Sequence, residues 1–190
     1  MQRAVKVVGM GGAIRPSSTS EQALRLFLQG LADRGAETNL FVGEDLNFPL
    51  YDPVTQASTP SIAAFVETVR QCDALVIATP VYHGALTGLI KNAIDHLTAL
   101  MNDSRPYLAG RPVCCIATAG GMPGAVTALS GLRDIVHALR GWPTPMQVPI
   151  NSSAKPFDED GSCNDPKLTK MMVAAQDDLC SFTRIIAEAA

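Results

Sequence analysis

No apolar run in this chain of 190 residues approaches the roughly 20 residues that a membrane-spanning helix requires. Its first residues lack the charged segment, apolar segment and cleavage site of a secretory signal, so the expected location is cytoplasmic. Basic clusters are equally scarce. Fifteen Lys and Arg against 18 Asp and Glu give a net charge of −3, with the signs interspersed. Without a basic stripe or a polybasic anchor, neither nucleic acid nor a membrane is an expected partner. The five cysteines, at 72, 114, 115, 163 and 180, form no Cys-x-x-Cys pair and have no metal-ligand spacing with the three histidines. No metal site is expected. Cys114 and Cys115 lie within PVCCIAT and read as small core residues.

Linkers, repeats and low-complexity tracts are also missing, so residues 1–190 read as one domain. At this size a domain buries roughly 70% of the surface its unfolded chain exposes, enough for a self-sufficient core. What the sequence does contain is an alternation of short apolar runs with longer amphipathic segments, the pattern of successive βα units around a parallel sheet. Strands are expected at 4–10, 37–42, 73–79, 112–118 and 144–148. Those at 73–79 (DALVIAT) and 112–118 are almost continuously apolar, as strands covered by helices on both faces should be. Helical spacing links Ala23, Leu24, Phe27, Leu28 and Leu31, then Ile90, Ile94, Leu97 and Met101, then Met171, Ala175, Leu179, Phe182 and Ile186. Further helices are expected at 61–71 and 125–140.

A five-stranded doubly wound α/β sheet commonly has the order 2-1-3-4-5 and binds ligands beyond the carboxyl ends of its strands. Three loops then matter: 11–20 (GGAIRPSSTS), 80–88 (PVYHGALTG) and 119–124 (AGGMPG). The first fails two familiar fingerprints. A dinucleotide motif counted from Gly9 needs a third small residue where Ile14 stands, and a Walker loop needs Gly-Lys-Ser/Thr where the chain has Pro16-Ser17-Ser18. Its hydroxyl run, Ser17, Ser18, Thr19 and Ser20, instead crowds donors at an expected helix N-terminus, with Ser18 and Glu21 spaced as a capping box. Free N–H groups and the helix dipole favour an anion there, and Arg15 adds a planar donor for phosphate oxygens. No acidic residue occurs before Glu21 to repel it. The same residues also describe a well-capped surface helix.

In the second loop Pro80 stiffens the strand exit, Tyr82 offers an aromatic face, and Gly84 and Gly88 allow backbone to approach a flat ligand. Tyr82 also fits a partly buried rim aromatic, and His83 reads as a solvent-facing loop residue rather than a catalytic one. Gly120, Gly121 and Gly124 keep side chains out of the same crevice. One loop suited to a phosphate monoester, with two suited to flank a flat ring, points to a mononucleotide such as FMN.

At GGAIRPSSTS, LNFPLYDP (46–53), ATPVYHGALTGLIKNAID (78–95) and ATAGG (117–121), the chain resembles the NAD(P)H-dependent FMN reductase family of flavodoxin-like proteins. The resemblance implies a flavodoxin-like 2-1-3-4-5 sheet, FMN as cofactor or substrate, NADPH or NADH as electron donor, a small-molecule electron acceptor, and a homodimer or homotetramer. By position, Arg15, Ser18 and Ser20 would hold the phosphate with Ser17 and Thr19 nearby. Pro80, Val81, Tyr82 and His83 would line the ring, and Thr118, Gly120 and Gly121 would close its other side. Ala13 stands where many members carry Ser. Lys91, Asp95 and the LNFPLYDP loop are candidates for a subunit interface, or for a helix and a loop folded onto their own subunit. A flavin-dependent monooxygenase is a candidate partner, although the Tyr that related sulfonate-branch reductases insert after the third loop is absent from Ser130-Gly131-Leu132. A quinone or azo-compound reductase with tightly bound FMN, and an electron carrier of the flavodoxin kind, are the alternatives. No residue is assigned as catalytic, because the flavin carries the chemistry. Loops 43–60, 101–110 and 151–165 are expected to govern substrate choice.

Overall fold

A computed structural model describes residues 3–55 and 58–189, so residues 56 and 57 of the loop at 43–60 lie outside the described residues. The elements are β1 (Lys6–Gly11), α1 (Thr19–Ala32), β2 (Glu37–Val42), α2 (Pro60–Gln71), β3 (Ala74–Pro80), α3 (Gly88–His96), β4 (Pro112–Ala119), α4 (Met122–Ala138), β5 (Trp142–Pro143), β6 (Val148–Asn151) and α5 (Pro166–Ala189). They form a wholly parallel sheet of order β2-β1-β3-β4-β5, with β6 also paired to β4. The register sets Val7 beside Ala74 and Leu75 beside Val113. This is the flavodoxin-like order expected from the sequence.

Strand alternation divides the core in two. Val8, Met10, Leu75, Ile77, Val113 and Cys115 face the helices α2, α3 and α4, where Phe65, Ile90, Leu97 and Leu129 pack on them. Val7, Val76, Ala78, Cys114 and Ile116 face α1 and α5, against Leu24, Phe27, Ala175 and Leu179. The adjacent Cys114 and Cys115 are both buried but on opposite faces, a direct consequence of the two-residue strand period.

One expected element is corrected. Instead of a strand at 144–148, the fifth sheet position holds two short strands, β5 before that segment and β6 beginning at its last residue. Pro143, Pro145 and Pro149 have no N–H to give to a ladder. Thr144 still donates to the Val113 carbonyl at 2.9 Å, but Met146 N–H turns away to the Asp178 carboxylate at 3.1 Å. The Arg133 guanidinium takes the Thr144 carbonyl at 2.6 Å. Side chains thus satisfy the backbone where the strand breaks. Among the described residues no helix is long and apolar enough to cross a membrane, and no cluster of His, Cys, Asp and Glu could hold a metal.

Candidate cofactor site

The carboxyl ends of β1, β3 and β4 deliver the three loops to one edge of the sheet. Hydrogen bonds then lock the loops to one another. Gly12 N–H donates to the Ala78 carbonyl at 2.8 Å, and the Thr87 hydroxyl donates to the Gly12 carbonyl at 2.8 Å. Thr87 N–H in turn reaches the Thr79 hydroxyl at 3.1 Å, while Thr87 caps α3 through Ile90 N–H. Val81 N–H donates to the Thr118 carbonyl at 2.9 Å, fixing the second loop on β4. Gly12 is a packing glycine: a Cβ there would sit 2.6 Å from Ile90 Cγ1 and 2.7 Å from Thr87 Oγ1.

The first loop ends at Ser18, whose hydroxyl accepts Glu21 N–H at 3.3 Å and caps α1. The expected capping box is half formed. Glu21 reaches back one residue further, accepting Ser17 N–H at 3.2 Å, where Ser17 has a φ of 54°. The expectation that nothing repels an anion here needs the same amendment, because the Glu21 carboxylate stands in the first turn. Its charge is paired with Arg25 at 2.8 Å.

Three groups remain available to a ligand. The N–H groups of Thr19 and Ser20 are too early in the helix to find an intrahelical carbonyl and have no other partner among the described residues. The buried hydroxyls of Ser18 and Ser20 lie 3.1 Å apart, so whichever donates to the other leaves one hydroxyl hydrogen for an outside acceptor. Arg15 is exposed and has no hydrogen-bond or ion-pair partner among the described residues. A set of donors with its one carboxylate already paired suits a phosphate dianion.

The second loop forms a tight turn in which Tyr82 and Ala85 exchange backbone hydrogen bonds of 3.2 Å. Its central residues His83 and Gly84 both have positive φ, 53° and 81°, the geometry of a type I′ turn. Gly84 adopts this freely, whereas His83 is held in it. The turn lifts Tyr82 off the body of the protein, leaving it 63% exposed rather than partly buried. Its ring is uncommitted to the core. Pro80 and Val81 are half-buried behind it. On the β4 side Thr118 is buried, with no described residue bonding its hydroxyl, and Gly120 is exposed.

A fourth segment, the start of the loop at 151–165 that the sequence marks for substrate choice and not for the cofactor, completes this wall. The Ser153 hydroxyl donates to the Gly120 carbonyl at 3.0 Å, and the Asn151 side chain accepts Ser153 N–H at 3.0 Å. Its signal was a run of Asn and Ser immediately after an apolar strand. Thr87 was likewise legible only as the hydroxyl before a helix start.

The LNFPLYDP loop is folded onto its own subunit. The Asn92 side chain holds the Phe48 and Pro49 carbonyls, each at 3.1 Å, and Tyr51 N–H at 2.9 Å, while a His96 ring nitrogen lies 3.0 Å from the Pro49 carbonyl. Lys91 and Asp95 pair with each other at 2.7 Å. Leu50 within the loop and Val54 just after it project furthest, 87% and 89% exposed.

With this geometry, comparison with known proteins decides the family. The family described as NADPH-dependent FMN reductase matches residues 5–155. The chain belongs to the NADPH-dependent FMN reductase family. It is 30% identical over 171 residues to an NAD(P)H-dependent FMN reductase of Pseudomonas aeruginosa, covering 88% of this chain and 89% of the relative. An FMN-dependent NADPH-azoreductase of Staphylococcus haemolyticus is 34% identical over 160 residues, 72% of this chain and 81% of that one. Among solved structures, the flavoenzyme NAD(P)H:(acceptor) oxidoreductase FerB of Paracoccus denitrificans superposes with a TM-score of 0.70 at 29% identity, over 97% of this chain and 98% of its own. Membership of the FMN reductase family makes this chain an oxidoreductase that uses FMN and a reduced nicotinamide nucleotide.

Proposed function

We propose that residues 1–190 act as one unit in which Arg15, Ser17, Ser18, Thr19 and Ser20 hold the FMN phosphate. Pro80, Val81, Tyr82 and His83 line one side of the ring, and Thr118, Gly120 and Gly121 the other. The observation that carries this reading is the unpartnered donor set at one helix start, Arg15 with the N–H groups of Thr19 and Ser20, beside an aromatic ring raised on its own turn. FMN, when bound, supplies the hydride chemistry. The chain's part is placement. The N-terminus of α1 and Arg15 neutralise the phosphate, and the uncommitted Tyr82 ring supplies a stacking surface. The small residues at 120 and 121 leave room for a second flat molecule.

The electron acceptor is proposed to be free flavin or a small quinone or azo compound, the last supported by the relative named an azoreductase. The exposed apolar apices, Leu50, Val54 and Tyr82, support a homodimer or homotetramer, and the absence of any membrane-spanning helix among the described residues is consistent with a cytoplasmic enzyme. The deciding experiment is an absorbance spectrum of the purified protein, followed by NADPH and NADH oxidation with and without added FMN. Flavin bands with FMN-dependent oxidation are expected. Absence of both flavin binding and nicotinamide oxidation would overturn the reading. Ping-pong kinetics would mark FMN as a resident cofactor, and a sequential pattern with free FMN would mark it as substrate.

A further inference from the structure

At the opposite edge of the sheet, before the start of β1, lies a cavity of about 690 Å³ lined by Arg3, Arg105 and Arg184 around a largely apolar floor that includes Val5, Ala109 and Ile186. A smaller recess, walled by Val7, Leu31 and Leu179 with Arg34 at its side, adjoins it and shares Val5, Thr183 and Arg184. Three guanidiniums therefore line the cavity and a fourth lines the adjoining recess, on a chain whose net charge is −3. Two of them are engaged by acids. Arg3 pairs with Asp73 at 2.6 Å, and Arg34 with Gln176 at 2.8 Å and Asp177 at 3.4 Å. Glu37 adds a weaker pull on Arg3. The other two are not. Arg105 donates to the neutral Gly110 carbonyl at 3.1 Å, and Arg184 has no partner among the described residues.

The size lies within the roughly 300–1,000 Å³ of small-molecule sites, and apolar walls with a few convergent charges are their usual composition. Nothing in the flavin chemistry uses this place. β1 alone separates the two edges by about 20 Å, from its six residues at roughly 3.3 Å each. Among the described residues lining it, no aromatic wall or glycine-rich loop is present to receive a nucleotide. Arg105 and Arg184 are both exposed at the rim, where they favour an anion, and the apolar floor favours an apolar body behind it.

We propose that this groove is a second ligand site, independent of FMN, for an organic anion: a carboxylate or sulfonate carried on an apolar body and held between Arg105 and Arg184. A carboxylate or sulfonate can bridge two guanidiniums through its separate oxygens. An alcohol of the same length offers the floor the same contacts but leaves both charges unmatched.

The test is calorimetric titration of the FMN-loaded protein with octanoate, octanesulfonate, octanol and octyltrimethylammonium. Saturable binding of about one equivalent of octanoate or octanesulfonate is expected, with the alcohol and the cation at least about tenfold weaker, the difference of a hydrogen bond to a charged group. The relative strength of the two anions identifies the preferred head group. Arg184→Ala and Arg105→Ala should each weaken octanoate by about tenfold, with flavin content unchanged in both and melting temperature unchanged in Arg184→Ala. Arg15→Ala should leave octanoate binding intact. Octanol binding as well as octanoate, unchanged octanoate affinity in the Arg105→Ala/Arg184→Ala double variant, or release of FMN by octanoate would each overturn the proposal. Because these readouts do not depend on turnover, a protein that failed the oxidation assay could still pass them.

Discussion

The Thr87 hydroxyl donates to the Gly12 carbonyl at 2.8 Å across 75 residues, joining the loop after β1 to the loop before α3. Thr87 is buried and also takes Ile90 N–H as the cap of α3, so its one oxygen serves both loops. Thr87→Val keeps the shape but strands the Gly12 carbonyl and uncaps the helix. It should cost about 1–3 kcal/mol of stability and weaken FMN binding with it, whereas Thr87→Ser should restore most of both. Urea unfolding and flavin titration measure the two. A valine variant with unchanged FMN affinity would show that the loops do not need this tether.

The contrast between the phosphate loop and its tethers explains what the sequence could show. Arg15 to Ser20 are contiguous, so their donor chemistry was readable directly. The Thr87–Gly12 and Ser153–Gly120 bonds join residues 75 and 33 apart, and only the folded sheet brings them together. Strands β1 to β4 were legible to within two residues, β3 and β4 because an apolar run covered on both faces has few alternatives, and the half-buried edge strand β2 because it lies between a helix and the next. The fifth strand was misplaced because three prolines break its ladder while leaving the segment as apolar as a strand.

Arg15→Ala should weaken FMN by roughly 1.5–3 kcal/mol, the range for a hydrogen bond to a charged group, and leave riboflavin binding unchanged. Arg15 has no partner in the protein among the described residues, so removal should not lower the melting temperature. Parallel titrations with FMN and riboflavin make the comparison. Equal losses for both ligands would place Arg15 away from the phosphate.

Two glycines should respond oppositely to the same substitution. A Cβ on Gly12 would meet Ile90 Cγ1 at 2.6 Å, Thr87 Oγ1 at 2.7 Å and Thr79 Oγ1 at 3.0 Å, all buried groups. Gly12→Ala should destabilise by about 1–3 kcal/mol, as overpacking does. Gly88, the first residue of α3, has open space around its Cβ position, and Gly88→Ala should be neutral or stabilising by up to about 1 kcal/mol. Urea midpoints of the two variants test the pair.

The buried thiols should make the fold sensitive to alkali. Burial pushes the Cys115 thiol up to about 12 and Cys72 up to about 11, the latter against the opposing pull of the Arg111 guanidinium, while Cys114 is raised by burial and by Cys115. In the unfolded chain these thiols ionise near 9.0. The unfolded state therefore loses its protons first, and its stability relative to the fold rises with pH. Stability should be undiminished by this route below pH 9 and decline from pH 9 towards 11. Urea midpoints across that window should fall less steeply for Cys115→Ala than for the parent protein, and native Cys114 and Cys115 should resist alkylation at pH 8.

Arg111 tests how a buried cation survives when its hydrogen bonds go to backbone carbonyls and Asp103 offers only a longer-range attraction. It is 1% exposed, and burial lowers its pKa. Its guanidinium spends its donors on backbone carbonyls: Arg70 at 2.7 Å, Tyr107 at 3.0 Å, Cys72 at 3.3 Å and Ala109 at 3.5 Å. These carbonyls belong to the end of α2 and to the loop before β4, so the fork closes a helix terminus and a loop together. Arg111→Ala would leave them facing one another without a donor. It should cost about 1–3 kcal/mol for each buried carbonyl left without a donor, and lower the melting temperature sharply. A lysine carries the charge but not the planar fan of donors, so Arg111→Lys should recover only part of the loss. FMN affinity, measured well below the melting transition, should be retained in both variants, because the phosphate loop lies at the other end of the strands. Loss of FMN binding in a folded Arg111→Lys protein would mean that the two edges of the sheet are coupled.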